Sequence, residues 1–270
     1  MGEAKIKQSA TAKFIAQYPL CCFCGGTRAA TTREHMPPRS LFDNSHRPDK
    51  LVMPACRECN HGTSTADLVA AIVSRWNYNS NAVEVADHRK LVRRARSHHS
   101  EIHAEWIMPI DREKARRNLT DYGMQVPLDA GMATIGPLTI QQLNLFAHKV
   151  ALALYFEQFR TPLTDEGAVS ALWRSKEDFA KGAPAELLEM MQQYGTLEQG
   201  KWNASETFEY RFEVNRDEGL LACLARFRGG LYVGGFSARD ATQLPSDDVS
   251  WIKPSTLLAR LDDPEFEKKP

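Results

Sequence analysis

Two Cys-x-x-Cys pairs, Cys21/Cys24 and Cys56/Cys59, constrain this 270-residue chain more than any other feature of its sequence. Two thiolates spaced by two residues can turn onto one ion, and a second pair completes the tetrahedral four-sulfur shell that zinc prefers. In a reducing compartment disulfides are disfavoured, so such pairs point to metal or redox chemistry. A redox motif needs one pair beside a strand–helix unit, whereas two pairs, with Gly25-Gly26 after the first, look like zinc knuckles. Unrelated redox pairs and plain buried thiols are the competing readings. Closing the loop on zinc would add on the order of 10 kcal/mol of apparent folding free energy. Cys22, inside the first pair, is a spare ligand, and Cys223 reads as a small core residue in a strand.

Between the pairs, the Thr-rich stretch after Arg28 suits an extended strand ending at Glu34-His35, and Pro37-Pro38 keeps a helix from starting there. Residues 50–54 form a second short extended run that leads into Cys56. Asn60 follows Cys59 directly. Beyond it, Leu68, Ile72, Val73 and Trp76 recur at helical spacing, with Thr63 or Ser64 placed to cap the helix. Two strands, a knuckle at each base and a following helix make a small β-β-α unit.

Cys-x-x-Cys, a Glu-His dipeptide with Pro shortly after, then Cys-x-x-Cys-Asn, resembles the pattern of zinc-knuckle HNH endonucleases, which have the ββα-metal (His-Me finger) fold. The resemblance covers about residues 18–78. It implies that Cys21, Cys24, Cys56 and Cys59 hold a structural zinc ion, that His35 is the general base, and that Glu34 and Asn60 hold a catalytic Mg²⁺ or Mn²⁺. The chemistry is coherent with those types of residue. An imidazole titrating near neutral pH can take a proton from water, and a carboxylate with an amide oxygen suits a hard cation. Two positions depart from the pattern. Lys50 stands where a middle Asn is usual, leaving Asp49 or Asn44 to brace the site, and Thr63 stands where a Lys is common. Arg33 and Arg39 flank the dipeptide as candidate phosphate ligands, His46 and His61 read as loop residues with His61 the better spare ligand, and Asp67 reads as an acid favoured by the helix dipole or as a partner of a ligand.

The formal net charge is zero, yet it divides unevenly. Residues 1–117 carry 19 Lys+Arg against 12 Asp+Glu, and residues 118–270 carry 15 against 22. Arg89, Lys90, Arg93, Arg94 and Arg96 form the densest basic cluster, continued at residues 112–117. With the nuclease resemblance this asymmetry points to nucleic acid, DNA before RNA. A zinc-stapled nucleic-acid or protein binding module without catalysis is the alternative. The resembled family includes phage, restriction and defence members.

With 43% hydrophobic and 25% charged residues the composition is that of a globular protein. No apolar run exceeds residues 150–156, far short of the ~20 that span a bilayer, and the start lacks a secretory pattern, so a cytoplasmic protein without membrane contact is expected. Leu143, Phe146, Ala147, Val150, Leu154 and Phe159 predict a buried helix, and residues 165–194 read as further helix. Phe208, Tyr210, Phe212 and Val214 alternate with charges and open an antiparallel meander that turns at Arg228-Gly229-Gly230. The expected fold is α+β: an HNH ββα-metal domain over 1–80, then an α+β region over 81–270 with a basic segment (88–117), helices (139–194) and antiparallel strands (206–237). Residues 118–270 would select substrate or bind a protein partner or a second copy.

Overall fold

A computed structural model describes residues 2–76, 82–121, 132–176, 178, 189, 191–199, 202–244 and 251–262. Mixed helix and antiparallel sheet make it an α+β protein. After helix α1 (Gly2–Gln17), two short antiparallel strands, β1 (Thr32–His35) and β2 (Val52–Ala55), pair in the register Glu34↔Met53 and His35↔Val52. A short helix α2 (Arg57–Gly62) follows, then α3 (Ser64–Val73), whose side chains are buried from Ala66 to Val73. Thr63 occupies the cap position of α3, but its hydroxyl donates instead to Cys59 O at 2.8 Å.

Helices α4 (Ala82–His98), α5 (Ser100–Trp106) and α6 (Arg112–Asp121) carry the basic segment. The 23-residue helix α7 (Pro137–Phe159) runs through the centre of the core. Its exposed first-turn donors are met by Glu105 of α5, whose two carboxylate oxygens accept from Leu138 N at 2.8 Å and Thr139 N at 2.9 Å. A negative group at a helix N-terminus also complements the macrodipole.

After α7 the described residues form mainly a five-stranded antiparallel sheet ordered β3-β9-β8-β7-β4. Its members are β3 (Ala168–Ser175), β4 (Gln193–Thr196), β7 (Phe208–Asn215), β8 (Leu220–Phe227) and β9 (Leu231–Ala238), with a minor pair β5 (Glu198–Gln199) and β6 (Trp202–Asn203) beside it. The meander of β7, β8 and β9 lies where the alternation of Phe208, Tyr210 and Phe212 places it, with those three rings on the buried face. The expected helix over 165–194 is corrected. Helix α7 ends at Phe159 with Arg160 in the left-handed region, and 168–175 is an edge strand paired with β9. Ala171-Leu172-Trp173 has no strong strand signature of its own. Pairing with β9 and burial of Trp173, whose Nε1 donates to Asn144 Oδ1 of α7 at 3.0 Å, outweigh local propensity. Residues 179–188 of that expected helix lie outside the described residues.

Buried apolar side chains form one continuous cluster from Cys21 to Leu257, so residues 21–73 share their core with α7 and the sheet. Arg228, in the β8–β9 turn, reinforces this contact by donating to Leu41 O, Glu84 Oε1 and Asp43 Oδ1. No described helix is long and apolar enough to cross a membrane. Strand β9 approaches α7 closely at Gly235, where an added Cβ would lie 2.7 Å from Ala151 Cβ and 3.1 Å from Cys223 Sγ. Gly235→Ala should therefore force the helix off the sheet and lower stability by about 1–3 kcal/mol in urea unfolding, whereas the same change at the neighbouring Gly234 meets only the Leu172 side chain at 3.4 Å, an ordinary contact. Equal midpoints for Gly235→Ala and wild type would contradict this packing.

Candidate functional site

The two cysteine pairs come together. One sulfur from each of Cys21, Cys24, Cys56 and Cys59 lies within 4.8 Å of the others, and all four residues are buried. Each pair is a tight turn in which a backbone amide donates to the first sulfur. Phe23 N reaches Cys21 Sγ and Cys59 N reaches Cys56 Sγ, both at 3.4 Å. Gly25 and Gly26 follow at φ 65° and 73°, a conformation that side chains with a Cβ resist. Cys22 N donates to Pro54 O at 2.9 Å, which ties the first turn to β2. Crowded thiols cannot all ionise. Hydrogen bonds from Cys21 and Cys59 hold the Cys24 thiol below its ordinary range, while the bonds from Cys21 and Cys24 push Cys59 up. A dication would resolve that conflict by accepting four thiolates, so the cluster can hold a metal ion, and its soft, tetrahedral donor set suits structural zinc. Cys22 and Cys223 are buried outside the cluster.

Strand β1 alternates. Arg33 and His35 meet Asp49, and Thr32 and Glu34 meet α2 and α7. His35 Nε2 lies 3.3 Å from Asp49 Oδ1, and the Arg33 guanidinium lies 3.5 Å from the same oxygen while covering the Phe14 ring of α1 at 5.7 Å. Of the two residues weighed as braces, Asp49 reaches the imidazole, whereas Asn44 donates its backbone N–H to Asp87 of α4. Arg47 shapes this loop. Its guanidinium donates to the carbonyls of Met36, Pro37, Pro48 and Lys50, folding the β1–β2 connection back toward His35. The His35 side chain is 21% exposed. Burial, then the positive charges of Arg47 and Arg39, push its pKa below 6.5 against the pull of Asp49 and so favour the neutral ring. Arg39 is exposed at the start of a 3-10 turn (Arg39–Leu41), and His46 and His61 are exposed without joining the cluster.

Glu34 faces inward. Lys149 of α7, whose side chain is fully buried, donates from Nζ to Glu34 Oε1 at 2.7 Å and to Asp67 Oδ1 and Oδ2 at 3.0 and 2.8 Å. Burial works against the ammonium, but Asp67 and Glu34 outweigh it and raise its pKa. Burial also raises Asp67, to about 7, despite the opposing lysine. Asn60 Nδ2 donates to Thr32 Oγ1 at 3.0 Å. Glu34 and Asn60 thus share a side of β1, but the carboxylate is already ligated by an ammonium. As arranged, this pair does not fit a hard divalent ion.

Lys149 is a member of this cluster that the motifs do not reveal, although the sequence carries a signal for it. A lysine inside the apolar stretch 145–156 must be buried if the helix is, and a buried charge needs a partner. Asp67 is legible as a helix-start acid but not as the partner of a residue 82 positions away. Comparisons of the chain with protein-family models, with curated proteins and with solved structures return no match.

Removing one sulfur tests the cluster. Cys56→Ser should abolish stoichiometric zinc in elemental analysis and lower the thermal midpoint sharply through loss of the fourth thiolate, since a serine hydroxyl can still cap α2. Cys22→Ser should keep its zinc. Full zinc in Cys56→Ser would dismiss the four-sulfur site.

Proposed function

We propose that this chain hydrolyses phosphodiester bonds in nucleic acid, DNA foremost, with His35 as the general base that deprotonates the attacking water. The observation that carries the reading is the His35–Asp49 pair: a neutral imidazole, oriented by a carboxylate and opening to solvent among guanidiniums. A base must be unprotonated at working pH, and the burial and cations around His35 secure that. Asp49 holds the ring and stabilises the imidazolium formed by proton transfer. Arg39, exposed and close enough for its charge to be felt at His35, and Arg33 would neutralise charge developing on phosphate oxygens. The order β1, β2, α2 with the four thiols at its base supports the ββα-metal likeness, with zinc as the structural ion. The resembled family also implies Mg²⁺ or Mn²⁺ at Glu34 and Asn60, but no step here is routed through one.

Zinc-loaded protein should nick a supercoiled plasmid, and His35→Ala should slow nicking by about 100-fold or more while zinc content stays unchanged. The rate should rise with pH along a limb whose midpoint lies below 6.5, since the proton that must leave His35 is already disfavoured by burial and by Arg47 and Arg39. Equal rates in wild type and variant would end the proposal. A second reading, a binding module without catalysis, is favoured by the engagement of Glu34 with Lys149. It predicts binding without cleavage, indifferent to His35→Ala.

Either reading needs a surface for phosphates. Arg89, Lys90, Arg93, Arg94 and Arg96 are exposed on α4, and the i, i+4, i+7 spacing of Arg89, Arg93 and Arg96 sets three of them in one row. The start of α4 is fastened to the loop between β1 and β2, where Asp87 accepts from Asn44 N at 2.7 Å. The basic row therefore departs from beside the His35 loop. Replacing Arg89, Arg93 and Arg96 by Ala should weaken duplex binding across sequences. It should also flatten the slope of log K against log salt by about 2–3, at ~0.9 for each phosphate that is no longer neutralised. An unchanged slope would place the nucleic acid elsewhere.

A further inference from the structure

We propose that the Lys149 ammonium is the resident cation of the Glu34–Asp67 pair, and that this position takes no divalent ion. The inference goes beyond the nuclease reading and does not depend on it. Lys149 Nζ has three N–H donors and three carboxylate oxygens within 3.0 Å: Glu34 Oε1, Asp67 Oδ1 and Asp67 Oδ2. Its hydrogen-bonding capacity is therefore filled. The Phe23 ring, fully buried between the first pair of cysteines, lies 5.6 Å from Nζ and puts an aromatic face against the charge.

A hard ion has no comparable place here. Mg²⁺ keeps several of its waters and demands near-octahedral oxygen ligation. The side chains of Lys149, Glu34 and Asp67 are 0%, 12% and 12% exposed, so the waters would have to enter a nearly closed space. Such an ion would also have to displace the ammonium and leave it buried beside a like charge. One monovalent cation on a tether from α7 supplies the positive charge that the resemblance assigns to Mg²⁺ or Mn²⁺. It also carries α7 and α3 with it, since Asp67 belongs to α3. His35 is then left to act with guanidiniums alone.

The test observes the ammonium of the folded wild-type protein directly. In ¹⁵N-labelled, zinc-loaded protein, a buried and triply bonded lysine NH₃⁺ should give a slowly exchanging signal that solvent-exposed lysines lack. Lys149→Arg assigns the signal by removing it. Addition of millimolar Mg²⁺ should leave it unshifted, and Mn²⁺ should not broaden it selectively. Calorimetry with Mn²⁺ should find no site in wild type that Glu34→Gln removes. The proposal is overturned by a saturable shift with Mg²⁺, by selective broadening with Mn²⁺, by a Glu34-dependent Mn²⁺ site, or by no protected signal assignable to Lys149. Because none of these readouts is cleavage, a protein that fails to nick DNA can still uphold the inference, and one that nicks DNA can still refute it.

Discussion

Four sulfurs within 4.8 Å of one another decide where the N-terminal third of this protein can go. The segment from Leu20 to Gly62 has two strands of four residues, a single short helix and 3-10 turns, too little regular structure to hold itself. An ion held by both cysteine pairs would cross-link its two ends and remove chain entropy that so little regular structure does not offset. Consequences spread from that point. Cys22 N is brought onto Pro54 O, β1 is set in register with β2, and Cys56 becomes the cap from which α2 begins. Phe23, held between two ligand positions, is pressed into the core against Lys149.

The second constraint is electrostatic. A buried ammonium among apolar neighbours on α7 is costly unless it is paired and hydrogen-bonded, and removing one partner of such a group typically costs about 3–5 kcal/mol. Here the partners come from β1 and α3, elements remote in sequence from α7. The ion triad therefore adds, to the apolar contacts around it, a directional constraint on how the cysteine-rich segment docks. Arg228 acts similarly at the other end of the contact, where its three donors fasten the β8–β9 turn to Leu41, Asp43 and Glu84.

What the sequence discloses follows from how local each signal is. The cysteine spacing, the Pro37-Pro38 break and the alternation at Phe208, Tyr210 and Phe212 are properties of a few consecutive residues, and the structure carries each of them at the expected place. Strand β3 reads as helix from its own residues because an edge strand gains its identity from β9, 60 residues downstream, and not from its own side chains. The site divides in the same way. Asp49 is legible as one of two candidate braces, with Asn44, and only the fold separates them, while Lys149 can be inferred as buried but not assigned its two carboxylates. A pair separated by more than a hundred residues leaves no periodicity to read.

Adjacent residues Glu34 and His35 show how one strand can serve two purposes. Alternation along β1 sends neighbouring side chains to opposite sides, so a single dipeptide contributes one group to the interior and one to the surface. Inside, Glu34 is clamped by Lys149, which fixes the backbone of β1 relative to α7. Outside, that fixed backbone holds His35 against Asp49, with Arg47 stapling the loop that carries the carboxylate. The imidazole itself therefore need not be anchored by deep burial. It can remain part-exposed, because the residue before it anchors the strand.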